Sequence, residues 1–182
     1  MRIVAWDLET SDLKALMGRL FCCSFQPIVE GRHVPAYTFR ADRAPWRARD
    51  PIDDSKLAVA IRDELEKYHL IVSWNGKMFD APFLNARLLR VGERPLRPQL
   101  HLDAMFYAGG VSNRIGSRKL DNVQRFLGLS EAKTPISWTD WQRAAIGDKR
   151  AFERVVIHNV QDVKVLAQAY WRLLPSVATI HR

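Results

Sequence analysis

The first forty residues place apolar and polar positions in short runs of the kind that form β-strands. The runs are rich in β-branched and aromatic side chains, and turn-forming residues separate them. They predict three strands, at residues 2–9, 19–29 and 34–40. Because residues 30–33 form a short polar turn, the second and third strands make a hairpin, and the three strands form a largely antiparallel meander.

After residue 52 the apolar positions recur every three or four residues, as on one face of an α-helix. Leu57, Ile61 and Leu65 mark the buried face of the first predicted helix, and residues 53–55 supply candidate N-caps. Residues 69–74 are apolar and rich in β-formers, so they predict a fourth strand.

The rest of the chain predicts mainly helices joined by short connections. A second helix begins near Asp80 and ends at Gly92. A third covers residues 117–127, and residues 139–174 are largely helical with a break near Gly147.

Residues 101–107 suit an edge strand and a short helix equally, and this choice stays open. The order of strands and helices predicts an α/β fold. We expect a mixed five-stranded sheet, whose first three strands are antiparallel, flanked by helices on both faces. Since no repeat, low-complexity tract or long linker divides the chain, we expect one domain over residues 1–182.

Length and composition fit a protein with a substantial core, because 47 % of the 182 residues are hydrophobic. No apolar stretch approaches the ~20 residues of a membrane span, and no leader pattern opens the chain. Cys22 and Cys23 are adjacent and face opposite sides of a strand, so no disulfide between them is expected. We therefore expect a soluble protein of a reduced compartment, the cytoplasm, without a membrane partner.

The chain is basic, with 28 lysines and arginines against 20 acidic residues and a net charge of +8. An excess of this size attracts polyanions and releases counterions on binding, so it favours nucleic acid as a partner. The alternative is a basic soluble protein without such a partner. In a basic chain, acidic residues gathered in one place indicate a metal held beneath a phosphate backbone.

Asp7 and Glu9 lie near the end of the first predicted strand. Side chains two residues apart on a strand share a face, so the two carboxylates stand side by side. At about 4 Å they repel by roughly 4 kcal/mol at an effective dielectric near 20, and a divalent cation converts this repulsion into attraction. The pair predicts a cation site; the alternative is an acidic strand end that faces water.

Two further acids are candidates for the same site. Asp80 follows the fourth predicted strand, where it joins the site or caps the helix that begins near Pro82. His158 and Asp162 are four residues apart in the last helical region, so their side chains share one helix face. The alternative for this pair is an exposed contact that supports the helix.

Three motifs occur in order: Asp-x-Glu at residues 7–9, Asn-Gly-x-x-Phe-Asp at residues 75–80 and His-x-x-x-Asp at residues 158–162. Together they resemble the exonuclease motifs of the DEDD (DnaQ-like) superfamily of 3′–5′ exonucleases, which have the ribonuclease H-like fold. The likeness is closest to the branch related to the proofreading domain of family B DNA polymerases. Residues 117–128 also resemble a Lys-Leu-Asp-x-Val…Leu-Gly segment of that branch, and Asp103 falls at the acidic strand end that usually precedes it.

The resemblance implies a metal-dependent 3′–5′ exonuclease that releases nucleoside monophosphates by a two-metal mechanism. By this resemblance, Asp7, Glu9 and Asp162 hold one divalent ion, and Asp7 with Asp80 holds a second. Mg²⁺ and Mn²⁺ suit such all-oxygen ligands. The catalytic residues implied are these four acids and His158.

His158 departs from the pattern of that branch, which usually has a tyrosine four residues before the last aspartate. A sister branch has a histidine five residues before it, and here Ile157 takes that position. We interpret His158 as a histidine in the tyrosine position. Its ordinary pKa of about 6.5 suits it to orient or deprotonate the attacking water.

Single-stranded DNA is the favoured substrate, with RNA as the alternative; replication and repair proteins are further candidate partners, in a bacterium or a phage. Candidate substrate-binding residues are Leu8, Thr10, Asn75, Lys77, Phe79, Arg118 and Lys119. The apolar residues among them suit a plain core equally well. The basic loop at residues 40–49, with Trp46, is a further candidate for strand contact or a flexible basic surface.

Two other functions stay open. One is an inactive nucleic-acid-binding module of the same fold, against which the presence of all four acids argues. The other is a structure-specific endonuclease. Because the first strand begins at the first residues and the last motif lies near the final ones, we expect a stand-alone enzyme without a polymerase domain.

Overall fold

The structure is a computed structural model that describes residues 1–50, 52–109 and 113–178. Five strands form one sheet: β1 (Ile3–Thr10), β2 (Leu20–Ile28), β3 (Tyr37–Arg40), β4 (Leu70–Ser73) and β5 (Leu100–Asp103). Their order across the sheet is β3-β2-β1-β4-β5. The first three strands pair antiparallel, whereas β4 runs parallel to β1 and β5 parallel to β4. The expected mixed five-stranded sheet is confirmed.

Helices cover both faces of this sheet, as expected. They are α1 (Ser55–Leu65), α2 (Asp80–Arg90), α3 (Ala104–Gly109), α4 (Leu120–Leu127), α5 (Trp138–Ala145) and α6 (Lys149–Leu173), and a short 3₁₀ turn follows at Leu174–Ser176. One buried cluster joins alternate residues of β1 to α1 and α2. A second cluster joins the opposite face of the sheet to α3, α4 and α6.

β1 alternates between these two clusters with the period of two that a strand dictates. Trp6 and Leu8 pack in the cluster with α1 and α2, whereas Ala5 packs in the cluster with α6. Asp7 and Glu9 therefore lie on the α6 face. Because β4 pairs only with residues 3–5 of β1, the second half of β1 has no strand neighbour on that side among the described residues. The open edge beside this second half leaves space for functional side chains.

Several element boundaries differ from the prediction for local physical reasons. β3 begins at Tyr37 rather than residue 34, since Pro35 has no N–H to donate to a ladder. Residues 101–107 form both candidate structures in turn, because β5 ends at Asp103 and α3 begins at the next residue. α4 begins at Leu120 rather than residue 117.

Asp54 takes the N-cap position of α1, but its side chain makes no capping hydrogen bond. Its carboxylate instead accepts from the Leu20 N–H at 2.8 Å and from Nε and Nη2 of Arg87 at 2.8 and 2.7 Å. Arg87 Nη1 also donates to the carbonyls of Ala15 and Gly18. This buried ion pair fixes the loop that follows β1 against α2.

Candidate active site

The two acids of β1 meet α5 and α6 on the covered face of the sheet. Asp7 Oδ2 accepts from Asn159 Nδ2 at 2.7 Å, and Glu9 Oε2 accepts from the indole Nε1 of Trp141 at 2.9 Å. Glu9 is buried and Asp7 is partly buried. The strand periodicity therefore brings both carboxylates to one face, but under two helices rather than in open water.

Asp80 reaches the second half of β1 from the beginning of α2. It is the first residue of α2, and its Oδ1 accepts from the Leu8 N–H at 3.0 Å. A Cβ added at Gly76 would lie 2.5 Å from Ser73 Oγ and 3.2 Å from Asp80 Oδ2, so only glycine permits this close turn. Asp80 does not serve as a simple helix cap.

Asp103 holds the turn that carries the second motif. Its carboxylate accepts from the N–H groups of Asn75 at 2.8 Å and Lys77 at 3.1 Å. Asn75 has a φ of 65°, a left-handed conformation that asparagine tolerates better than most residues. The acidic end of β5 thus has a structural task, which is to orient the loop before Asp80.

The last two predicted residues lie on α6. His158 Nδ1 lies 2.7 Å from the Thr134 carbonyl oxygen, and its Nε2 lies 3.7 Å from Asp162 Oδ2. Both side chains are buried, so the pair is not an exposed helix contact. Asp162 Oδ1 is buried and has no hydrogen-bond partner among the described residues, which leaves this oxygen available to a ligand.

The pKa values show that the four acids act on one another. Burial raises the pKa of Asp7 well above its usual value, and the charges of Asp80, Glu9 and Asp162 raise it further. Burial also raises the pKa of Glu9 to about 8 and the pKa of Asp80 to about 7. A cluster of this kind stabilises a bound cation, because the cation removes the repulsion that ionisation creates.

Lys133 is a site residue that the sequence analysis missed. Its Nζ lies 2.5 Å from Asp162 Oδ2, and its positive charge opposes the upward pKa shifts of Asp7 and Glu9. It lies in the connection between α4 and α5, where no periodic pattern marks it. Trp141 and Asn159 were missed as well, although Asn159 is three residues before Asp162 and therefore shares its helix face.

A cavity of about 440 Å³ opens beside these acids. It is lined by Asp7 and Asp162, by Lys133, and by four residues of the surrounding loops: Trp74, Asn75, Arg118 and Lys119. Three of the seven predicted substrate-binding residues, Asn75, Arg118 and Lys119, thus lie at one opening with two of the acids. The Trp74 indole N–H donates to the Arg118 carbonyl at 2.9 Å and connects the two sides of the opening.

The side chains of the other four predicted substrate-binding residues lie outside this cavity. Leu8 is buried in the core with α1 and α2, and Phe79 packs against that core and the Phe83 ring. Thr10 Oγ1 donates to the Asp12 carbonyl in the loop after β1. Lys77 lines a different cleft, beside β5. Trp46 stacks on Phe39 at 4.4 Å between ring centroids, so it supports β3.

The donor chemistry of the site fits a hard divalent cation, because all four acids supply carboxylate oxygens. Among residues 1–50, 52–109 and 113–178, no group of three or more His, Cys, Asp or Glu side chains is already arranged as a metal site. Two of the acids instead contact other side chains: Asp162 contacts Lys133, and Asp7 accepts from Asn159. The unpartnered oxygen of Asp162 and the raised pKa values still favour a cation at this position.

Fold and site together define an α/β protein with an acidic cluster at the end of its central strand. A family model for the RNase H superfamily matches residues 5–174, so the chain belongs to the RNase H superfamily. The expected ribonuclease H-like fold is thereby confirmed. Nucleases of this superfamily generally use divalent metals and bind nucleic acid.

Among solved structures, the chain is similar to the family B DNA polymerase from the hyperthermophilic archaeon Pyrobaculum calidifontis. The TM-score is 0.74 at 18 % sequence identity, and the match covers 96 % of this chain and 24 % of the polymerase. The chain therefore spans about a quarter of that protein's length and shares its fold there. A search of curated protein sequences finds no match. Within the described part of the chain, every helix lacks the length or the hydropathy of a membrane span.

Proposed function

We propose that this chain is a metal-dependent 3′–5′ exonuclease, in one domain over residues 1–182. It hydrolyses phosphodiester bonds from the 3′ end of single-stranded DNA and releases nucleoside monophosphates, in DNA replication or repair. The observation that carries the proposal is the convergence of Asp7, Glu9, Asp80 and Asp162 from β1, α2 and α6. Membership of the RNase H superfamily supports the nuclease class.

In this proposal the four carboxylates hold two Mg²⁺ or Mn²⁺ ions. When bound, the cations offset the repulsion among the acids and make a water molecule acidic enough to supply hydroxide near neutral pH. The Lys133 ammonium contacts Asp162, one of the four carboxylates that would hold these ions. Its flexible four-carbon stem allows the ammonium to turn from the carboxylate toward the phosphate that is attacked.

His158 is the proposed base for the attacking water. A carbonyl oxygen can only accept, so the contact with Thr134 puts the proton on Nδ1 and leaves the lone pair of neutral His158 on Nε2. Nε2 is the nitrogen on the Asp162 side. Burial lowers the pKa of His158, which keeps the ring neutral and able to accept a proton at pH 7.

The cavity beside the acids is the proposed site of the 3′-terminal nucleotide. Trp74 offers an aromatic ring against which a base can stack, and Arg118 and Lys119 offer positive charge to phosphates. Asn75, at the same opening, can donate to the sugar or base through its amide. These groups bind without a preference for sequence, which suits an enzyme that shortens any strand.

A time course on 5′-labelled single-stranded DNA and RNA, with and without Mg²⁺ or Mn²⁺, tests the proposal. We expect a ladder that shortens one nucleotide at a time, release of nucleoside monophosphates, and no activity with EDTA. Asp7→Asn should abolish the ladder, and the exposed Asp63→Asn in α1 should leave it intact. Full activity of Asp7→Asn would overturn the proposed chemistry.

Circular single-stranded DNA separates the two alternatives from the proposal. An exonuclease cannot begin on a circle, so cleavage of the circle would assign an endonuclease instead. Binding of linear DNA without nucleotide release at any tested metal concentration would assign an inactive binding module.

A further inference from the structure

A second cavity lies where α5, the loop after β3 and the beginning of α6 meet. It has a volume of about 490 Å³, and we call it the arginine pocket. Its basic lining residues are Arg19, Arg40, Arg43, Arg47, Arg49 and Lys149. Trp141 of α5 contacts Glu9, whereas Ala144, about one turn later, lines the arginine pocket. Residues three apart share a helix face, so the same face of α5 meets Glu9 and the arginine pocket.

An ion network around the buried Arg40 builds one wall of the arginine pocket. Arg40 is 7 % exposed, and its guanidinium donates to Asp42 at 2.7 Å and to Glu153 at 2.8 Å. It also lies over the Phe152 ring, 5.5 Å from the centroid. The network joins β3, the loop after it and α6, so the wall has a fixed shape before any ligand arrives.

The net charge of the residues that line the arginine pocket is positive. Four acids, Asp42, Asp50, Asp53 and Glu153, also line it. Asp42 and Glu153 pair with Arg40, while Asp50 and Asp53 accept from the N–H groups of Ile52 and Ser55. Arg47, Arg49 and Lys149 are exposed, and none of them forms an ion pair with another described residue.

We propose that the arginine pocket binds backbone phosphates of the nucleic-acid strand whose 3′ end enters the acidic site. The identification of the ligand as a nucleic-acid strand rests on the proposed function. The preference for an anionic ligand follows from the charges of the pocket alone. Guanidinium groups match phosphate oxygens in a two-pronged geometry, and phosphate contacts fix the position of a strand without selecting its sequence.

The spacing of the two cavities sets the length of strand that touches both. Glu153 lines the arginine pocket and Asp162 lines the acidic cavity, nine residues apart on α6. Nine helical residues span roughly 14 Å, which is about four nucleotides at the 3.4 Å spacing of one B-DNA strand. A trinucleotide fills the acidic cavity alone, whereas a strand of twelve nucleotides reaches the arginine pocket.

The test compares two double variants that each remove two exposed arginines. Arg47→Gln with Arg49→Gln alters the arginine pocket, and Arg97→Gln with Arg172→Gln, away from it, is the control matched in net charge. The affinities of 5′-labelled single-stranded 3-mers and 12-mers are measured by fluorescence anisotropy in EDTA at several salt concentrations. We expect the pocket variant to bind the 12-mer about tenfold more weakly, with a salt slope smaller by about 1.4. We expect its 3-mer affinity to be unchanged, and Arg47→Lys with Arg49→Lys to retain most of the 12-mer affinity.

An equal loss in the control variant, or an equal loss on the 3-mer, would overturn the inference. So would saturable binding of inorganic phosphate that the pocket variant loses while its 12-mer affinity stays intact, because the pocket then takes a free anion. The assay contains no metal and measures no cleavage, so its outcome is independent of the exonuclease time course. If the binding assay shows the expected dependence on strand length and the time course shows no nucleotide release, the proposed function is contradicted. The arginine pocket is then still supported as a binding site for the strand.

Discussion

The ammonium nitrogen of Lys133 lies 2.5 Å from Asp162 Oδ2, so the acidic site of this protein carries a positive charge of its own. The Lys133 side chain is 23 % exposed, which means that it reaches the acids from the rim of the cavity rather than from the core. A charge in this position has two consequences. It limits the repulsion among the acids when no other cation is present, and it is available to a phosphate that enters.

Lys133→Gln should lower kcat by about 100-fold with little change in KM, because a fixed positive charge near the reacting phosphate acts mainly in the transition state. Steady-state kinetics on a single-stranded oligonucleotide measures both constants. Lys56→Gln, an exposed lysine on α1 at the opposite face of the sheet, is the matched control and should change neither. A rise in KM at constant kcat would show that Lys133 serves binding alone.

Asp80→Asn should make the metal-free protein more stable at pH 8. Burial raises the pKa of Asp80 from 3.8 to about 7, so the folded protein binds this proton more tightly than the unfolded chain does. The stability that the proton supplies is complete below the unfolded pKa of 3.8 and is lost as pH rises through about 7. An amide carries no charge, and its oxygen can still accept from the Leu8 N–H.

Denaturant unfolding in EDTA measures this effect. We expect Asp80→Asn to raise the free energy of unfolding by on the order of 2–4 kcal/mol at pH 8, and by less at pH 5. Added Mg²⁺ should narrow the difference, since it stabilises the parent protein more than the variant. Equal free energies of unfolding for Asp80→Asn and the parent protein at pH 8 in EDTA would mean that the buried charge of Asp80 does not destabilise the fold.

Local periodicity explains why much of the site was predictable from the sequence. A period of two on β1 brought Asp7 and Glu9 to one face, and the four-residue spacing on α6 brought His158 and Asp162 together. The same rule applied to Leu8 sends its side chain to the opposite face, into the core. The assignment of Leu8 as a substrate contact followed the motif rather than the strand geometry, and it stays a prediction.

Long-range packing explains what the sequence did not reveal. Lys133 and Trp141 reach the acids because α5 and the segment before it pack over the end of β1, and no local pattern records that approach. The difference between the predicted start of α4 at residue 117 and its observed start at Leu120 has a local cause. The Ser117 hydroxyl accepts from the Lys119 N–H and from the Asn122 side chain, and such bonds compete with a helical turn.

Trp141→Phe should shift the pH dependence of activity upward. Burial raises the pKa of Glu9 to about 8, and the hydrogen bond from the Trp141 indole opposes that rise. Phenylalanine keeps the aromatic contact with His158, at 5.6 Å between ring centroids, and removes only the N–H donor. The pKa of Glu9 then rises further, so a larger fraction of Glu9 is protonated at pH 7 and unable to hold a cation.

The Mn²⁺ concentration that gives half-maximal activity measures this shift. For Trp141→Phe we expect it to rise about tenfold at pH 7 and to approach the parent value at pH 9. Trp138→Phe, on the same helix and 59 % exposed, is the control and should match the parent protein at both pH values. An equal rise at both pH values would point to lost packing instead of a shifted pKa.

His158→Ala should lower kcat by about 100-fold or more while KM changes less than threefold, since a general base acts on the chemical step. Burial lowers the pKa of His158 below 6.5, so the ring is protonated only in acid. At Mn²⁺ concentrations that saturate the acids at every pH, the parent kcat should therefore fall as pH drops below the pKa of His158, and the variant should lack that acidic limb. His33→Ala, at an exposed position just after the turn at residues 30–31, should keep the parent profile. His158→Tyr should also lose the limb, because a phenol has an ordinary pKa of about 10 and does not titrate in this range. A variant that loses only substrate affinity would reassign His158 to binding and leave the attacking water without a base from α6.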